Sequence, residues 1–233
     1  MNISNVKNRI WELDFLRGFA LLCMIYFHMV FDLSFFYNFN INISSGFNFF
    51  IGRSSAVLFI LIAGISCLIS RNNLKRGLKI LAVALVITII SHIYNPTVGI
   101  KFGILHFLSV SILLYPVFKK INRYILIILG IIVISFGYIL MNINVSFDYL
   151  FPIGLHSNTF VSSDYYPLIP FLGVFLFGIA LGKFLYTSRK SLIPIKFQDN
   201  IINMAGRNTL ILYLVHQPII LILLAFISLF IKF

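Results

Sequence analysis

The chain has 233 residues, 60% of them hydrophobic and 10% charged, with a mean hydropathy of +1.01. A water-soluble domain of this length cannot hide so much apolar surface in one core, and a bilayer can. The net charge of +12 comes from short basic clusters between apolar runs, which is the pattern that orients a membrane protein and speaks against nucleic acid as a partner.

In chain order, seven apolar stretches predict membrane-spanning helices: 14–36, 47–70, 76–94, 101–118, 123–142, 166–186 and 207–231. Each offers roughly the 20 residues that a helix needs to cross a ~30 Å hydrocarbon core. The first is not a removable leader, because it carries Arg17, His28 and Asp32 and is followed by further stretches of the same kind. Basic residues cluster at alternate ends. Lys7, Arg9 and Arg17 lie at the start of the first span, and Arg71, Lys75, Arg76 and Lys79 follow the second. Lys119, Lys120 and Arg123 follow the fourth, and Lys183, Arg189, Lys190, Lys196 and Arg207 surround the last connection. Of the 18 Lys and Arg residues, only Arg53, Lys101 and Lys232 fall at the opposite ends. The expectation is an all-α integral membrane bundle of seven helices, N-terminus in the cytoplasm and C-terminus outside, forming a single domain over 1–233. Phe, Ile, Asn and Lys are abundant, which fits an AT-rich bacterial genome and so a bacterial cytoplasmic membrane. Cys23 and Cys67 sit inside apolar runs as packing residues, and no metal site is expected. Gly178 and Gly182, with Gly64, suit close helix packing.

Ionisable groups at membrane depth are costly and face a bundle interior or a cavity. His28 lies 14 residues beyond Asp14, roughly 21 Å along a helix at ~1.5 Å per residue. That puts it in the outer half of the membrane, with Asp32 one turn further on the same face. Arg53, His92 and His106 share this depth by their positions in the second, third and fourth spans, and Asp164 joins from the long 143–165 connection. Each has a structural reading as well. Asp14 and Arg17 can neutralise one another, His28 and Asp32 can join helices, Arg53 can be the counter-ion of Asp32, and His92 can be an interfacial residue. His216, just before Pro218, is read as satisfying backbone groups freed by a proline kink.

A histidine oriented by a carboxylate is a competent general base toward a hydroxyl or amine that attacks an activated carbonyl. His28 with Asp32 offers such a pair, and Arg53 can hold an anionic acceptor or offset charge on an acyl oxygen. No Ser or Cys stands in a nucleophile motif, which favours direct transfer, with an acyl-histidine intermediate left open. Arg17, Arg71 and Arg207, at helix ends on the inner side, suit a phosphorylated donor. Two other classes stay open on the residues alone: a proton-coupled transporter using the His/Asp cluster as a relay, and a non-catalytic membrane scaffold.

The run Glu12-Leu13-Asp14-Phe15-Leu16-Arg17-Gly18-Phe19-Ala20, continuing to His28 and Phe31-Asp32, resembles the opening of a bacterial membrane-protein family. That family is related to the catalytic domain of heparan-α-glucosaminide N-acetyltransferase. The resemblance continues through Leu58-Phe59 to Gly64-Ile65-Ser66, Phe102-Gly103-Ile104-Leu105-His106, Asp164-Tyr165-Tyr166-Pro167-Leu168-Ile169-Pro170, and Gly206-Arg207-Asn208-Thr209 to Tyr213-Leu214-Val215-His216-Gln217-Pro218. The opening is also similar to the Asp-x-x-Arg-Gly…His start of the acyltransferase-three family. What the resemblance implies is acyl transfer across a membrane, from cytoplasmic acetyl-CoA or another acyl-CoA to an extracytoplasmic glycan or similar acceptor. On this reading His28 is the base and Asp32 its orienter, Arg53, His106 and Asp164 contact the acceptor, and Arg17 and Arg207 hold CoA phosphates. The expected partners are these two substrates and membrane lipid, with a homodimer left open. The chain departs from the larger members in having fewer spans. It also has Asn38, Asn40 and Asn42, and no histidine, in the segment after the first span, so the base role passes to His28.

Overall fold

The structure, a computed structural model, describes residues 9–193 and 200–230. Lys7, Lys196 and Lys232 of the charge pattern lie outside the described residues. The described chain forms eight helices: α1 (Trp11–Phe36), α2 (Gly46–Ile69), α3 (Asn73–Tyr94), α4 (Ile104–Phe118), α5 (Arg123–Leu140), α6 (Leu168–Leu185), α7 (Ile201–Arg207) and α8 (Thr209–Ser228). Six of them, α1, α2, α3, α5, α6 and α8, are long and apolar enough to cross a membrane, and the chain is an all-α membrane bundle.

The fourth expected span is different. Residues 101–103 are not helical, because Phe102 forms a parallel bridge with Tyr165 and its carbonyl accepts the Tyr166 N–H at 2.9 Å. The helix that remains, α4, has 15 residues, about 22 Å at ~1.5 Å per residue and short of a ~30 Å hydrocarbon core. Phe107 and Ile112 of α4 are almost fully enclosed, so it is a core helix rather than a lipid-facing one. The last expected span also divides. It begins at Thr209, and the short α7 ahead of it is capped by Asn200, whose side chain accepts the Asn203 N–H at 2.7 Å.

The chain clusters into two compact units, and the division falls within α2, between Phe59 and Ile60. The first unit holds α1, the beginning of α2, α7 and α8. α1 starts with Glu12 and Asp14 in its first turn, where acidic groups complement the helix dipole. It meets α7 backbone to backbone. A Cβ on Gly18 would run into the carbonyl of Ile202, and one on Gly206 into the carbonyl of Asp14. Only glycine permits this approach. The start of α2 is tied to α1 by Ser55 Oγ, which donates to the Ala20 carbonyl at 2.8 Å, and Gly52 makes room for the Phe27 ring.

The second unit holds the rest of α2 with α3 to α6 and the connection between α5 and α6. Gly64 of α2 faces the Phe175 carbonyl of α6, and Gly178 of α6 faces Leu61, which is the small-residue packing that the sequence suggested. Gly130 of α5 and Gly173 of α6 face each other's carbonyls. The apolar centre runs through Ile60, Phe107, Ile112, Leu126, Phe175 and Ile179.

Candidate functional site

Two polar constellations lie along α1. At its start, the Asp14 carboxylate is nearly enclosed and gathers guanidinium groups. Arg9 donates through Nε at 2.9 Å and Nη2 at 3.2 Å, and Arg17 through Nη1 at 2.6 Å. Arg207 Nε, at the end of α7, stands 4.0 Å away. The Gly18 and Gly206 contact brings these two helix ends together. Asp14 and Arg17 are thus an ion pair, as the structural reading expected, within a larger group of one carboxylate and three cations. The neighbouring Glu12 turns elsewhere and accepts from Ser191 Oγ and the Leu192 N–H, both at 2.7 Å.

Four turns along α1 the second constellation begins. His28 Nδ1 is 2.6 Å from His216 Nε2, and His216 Nδ1 is 2.6 Å from the Tyr213 carbonyl oxygen. The two imidazole centroids are 4.9 Å apart with 15° between their planes. At that nitrogen separation, rings lying face to face would have closer centroids. The rings therefore meet edge to edge, with the hydrogen bond lying in both planes. One turn further, Asp32 is 1% exposed, and both of its carboxylate oxygens accept from the Gln217 amide, at 3.1 and 2.8 Å. Gln217 Oε1 is buried without a hydrogen-bond partner.

This changes the expected pairing. His28 and Asp32 share a face of α1, but α8 lies against that face and each residue takes a partner from it: His28 takes His216, and Asp32 takes Gln217. A carboxylate one turn away on the same helix is outcompeted by side chains that approach head-on from a neighbouring helix. Arg53 is not the counter-ion of Asp32. It is exposed, with its guanidinium 5.3 Å from the centre of the Phe49 ring.

The remaining candidates lie in the second unit, around the start of α4. His106 Nδ1 accepts the Gly103 N–H at 3.3 Å, and its Nε2 is 3.2 Å from Thr88 Oγ1, so both ring nitrogens are engaged. Asp164 Oδ2 accepts the Ile104 N–H at 2.9 Å, which places a carboxylate on the helix N-terminus. Burial pushes the Asp164 carboxyl up to about 6, against the pull of that hydrogen bond. Nearby, the Tyr165 hydroxyl donates to the Phe151 carbonyl at 2.7 Å, and burial raises it to about 12. His92 Nδ1 bonds the Thr88 carbonyl at 2.9 Å and its ring rests against Gly99. Among the described residues, no three His, Cys, Asp or Glu side chains group as a metal ion requires.

The family described as heparan-alpha-glucosaminide N-acetyltransferase, catalytic, matches residues 9–218. The chain belongs to this family. It is therefore a multi-pass membrane protein of an acetyl-transferring family, as the motifs at both ends of the chain implied. No curated protein and no solved structure matches the chain significantly.

The heparan-α-glucosaminide N-acetyltransferase match ends at Pro218, so it takes in both partners that the sequence reading left outside the site, His216 and Gln217. His216 was assigned only to the proline kink. In the structure its Nδ1 bonds the Tyr213 carbonyl, one residue before the Leu214 carbonyl that Pro218 leaves without a helical donor, and its other nitrogen meets His28. Two polar residues side by side at mid-span, followed by a proline, were the available signal.

Proposed function

We propose that the chain is a transmembrane acyltransferase that moves an acyl group, acetyl in the simplest case, from cytoplasmic acyl-CoA to a hydroxyl or amine on an extracytoplasmic glycan or similar acceptor. The observation that carries the reading is His28 within a family match over residues 9–218: one ring nitrogen is held by His216, and no described residue bonds the other. A base needs one nitrogen anchored and one open to the substrate. The acceptor hydroxyl or amine gives its proton to His28 Nε2 as its oxygen or nitrogen attacks the thioester carbonyl. The carbon–sulfur bond breaks, the acyl group stays on the acceptor, and the proton passes from His28 to the departing CoA thiolate.

The other residues divide by chemistry. Gln217 Oε1 is a bare acceptor beside Asp32 and suits a second hydroxyl or N–H of the acceptor substrate. Exposed Arg53 suits an anionic or polyhydroxyl portion of it. At the start of α1, three guanidiniums around the single Asp14 carboxylate give the positive excess that CoA phosphates need, with Arg17 and Arg207 as the holders. His106 and Asp164, whose polar atoms are engaged at the start of α4, are read as supports of that helix in place of the acceptor contacts the resemblance implied. The N-terminus-inside orientation that this direction of transfer requires rests on the basic clusters, and the bacterial cytoplasmic membrane is the proposed location.

The test is release of free CoA from acetyl-CoA by the detergent-purified protein, with thermal stability followed in parallel. Turnover that is lost in His28→Ala, with a stability shift by acetyl-CoA retained in the variant, supports the proposal. Neither turnover nor a shift with acetyl-CoA and longer acyl-CoAs overturns it, and transport by reconstituted vesicles is then the assay that separates a transporter from a scaffold.

A further inference from the structure

Tyr213, His216 and His28 form a chain of hydrogen bonds whose proton positions are determined. A backbone carbonyl only accepts, so His216 Nδ1, 2.6 Å from the Tyr213 oxygen, carries a proton. In a neutral imidazole the other nitrogen is then a bare acceptor. His28 Nδ1, 2.6 Å from His216 Nε2, must therefore be the donor, and His28 Nε2 holds a lone pair. The in-plane approach of the two rings, 15° apart, aligns that N–H with the lone pair it meets.

We propose that His216 is the positioning residue of the site: it sets the tautomer of His28 so that Nε2 is unprotonated and open to the acceptor. The inference rests on the reading of His28 as the base and names its orienter, a task the sequence had given to Asp32. A neutral orienter fits the location. When His28 takes a proton on Nε2, its Nδ1–H stays donated to His216, whose lone pair faces the growing positive charge, and no buried anion is needed at rest. The far end of the chain is anchored on backbone, at the Tyr213 carbonyl within α8. Asp32, held through both oxygens by Gln217, orients that amide instead.

The experiment is NMR of nitrogen-labelled histidine in the full chain, in lipid nanodiscs, with the signals assigned by single His→Gln variants. It is paired with steady-state CoA release. In the wild type, His28 is expected to be protonated on Nδ1. His216→Phe, which keeps a flat ring without an acceptor, should shift His28 toward the Nε2-protonated tautomer. It should also lower kcat by on the order of 10- to 100-fold, the usual scale for losing a partner that fixes a functional histidine, with KM for acetyl-CoA unchanged. His216→Gln, whose amide oxygen can accept from His28 Nδ1, should restore both. An Nε2-protonated His28 in the wild type overturns the inference even if the Phe variant fails to fold, and so does a tautomer indifferent to His216. If the tautomer responds as expected while the wild type releases no CoA, the positioning stands and the acyl-transfer reading falls. If CoA is released and the tautomer does not respond, only the positioning falls.

Discussion

His28 and His106 are both histidines of apolar helices, and they differ in how their ring nitrogens are engaged. His106 has each ring nitrogen occupied, one by the Gly103 N–H and one by Thr88, at the start of a core helix. His28 has one nitrogen occupied, and its partner there is a second imidazole anchored on a carbonyl. His106 is buried and His28 half-buried, and the count of satisfied nitrogens separates them further. On the proposed function a histidine with both nitrogens satisfied supports the scaffold, and one with a nitrogen to spare exchanges a proton with a substrate.

The largest expected effect breaks the comparison if it fails. Replacing His28 by Ala should lower CoA release by about 100- to 10,000-fold, the range for loss of a general base, with a melting temperature close to wild type. A second substitution tests the scaffold that holds the start of α1. Gly206→Val places side-chain carbons in the Asp14 carbonyl and should cost several kcal/mol, of the order seen for severe overpacking. Its readout is the yield and thermal stability of folded protein in detergent.

Around α4 the expected effects are smaller and fall on stability. The Asp164 carboxyl lies above its ordinary 3.8, at about 6. A raised folded value means that the stabilisation is complete below the unfolded value and is lost as pH rises through about 6. The gap corresponds to at most about 3 kcal/mol. Wild-type melting temperature should therefore fall between about pH 4 and pH 7, while Asp164→Asn, which keeps an oxygen for the Ile104 N–H, should stay flat. The smallest effect belongs to His106→Ala, about 1–3 kcal/mol for polar groups left unpaired. Its CoA release should stay within a few-fold of wild type. A loss of turnover there as deep as that of His28→Ala would put both histidines to the same use.

The spans were legible because length and hydropathy are properties of the chain itself. α1, α2, α3, α5 and α6 begin and end within a few residues of the apolar runs that predicted them. Residues 101–103 were misassigned because a tertiary contact, the bridge from Phe102 to Tyr165, takes them out of an apolar run that would otherwise continue the helix. The ionisable residues at span depth stand out in the sequence by their cost in a membrane, and their partners do not. Spacing along α1 joins His28 to Asp32, but a pairing depends on what the neighbouring helix presents, and α8 presents His216 and Gln217. Hydrogen-bond partners more than 180 residues apart leave no local pattern.

The glycine contact between α1 and α7 has a consequence for mutational scanning. Gly18 and Gly206 bear no side chain and touch no reacting atom, yet every replacement at either must displace backbone. In a library selected for lost activity they will rank beside His28 as intolerant positions. Protein abundance in the same library separates them, since variants at the glycines vanish from the membrane while variants at His28 accumulate there inactive.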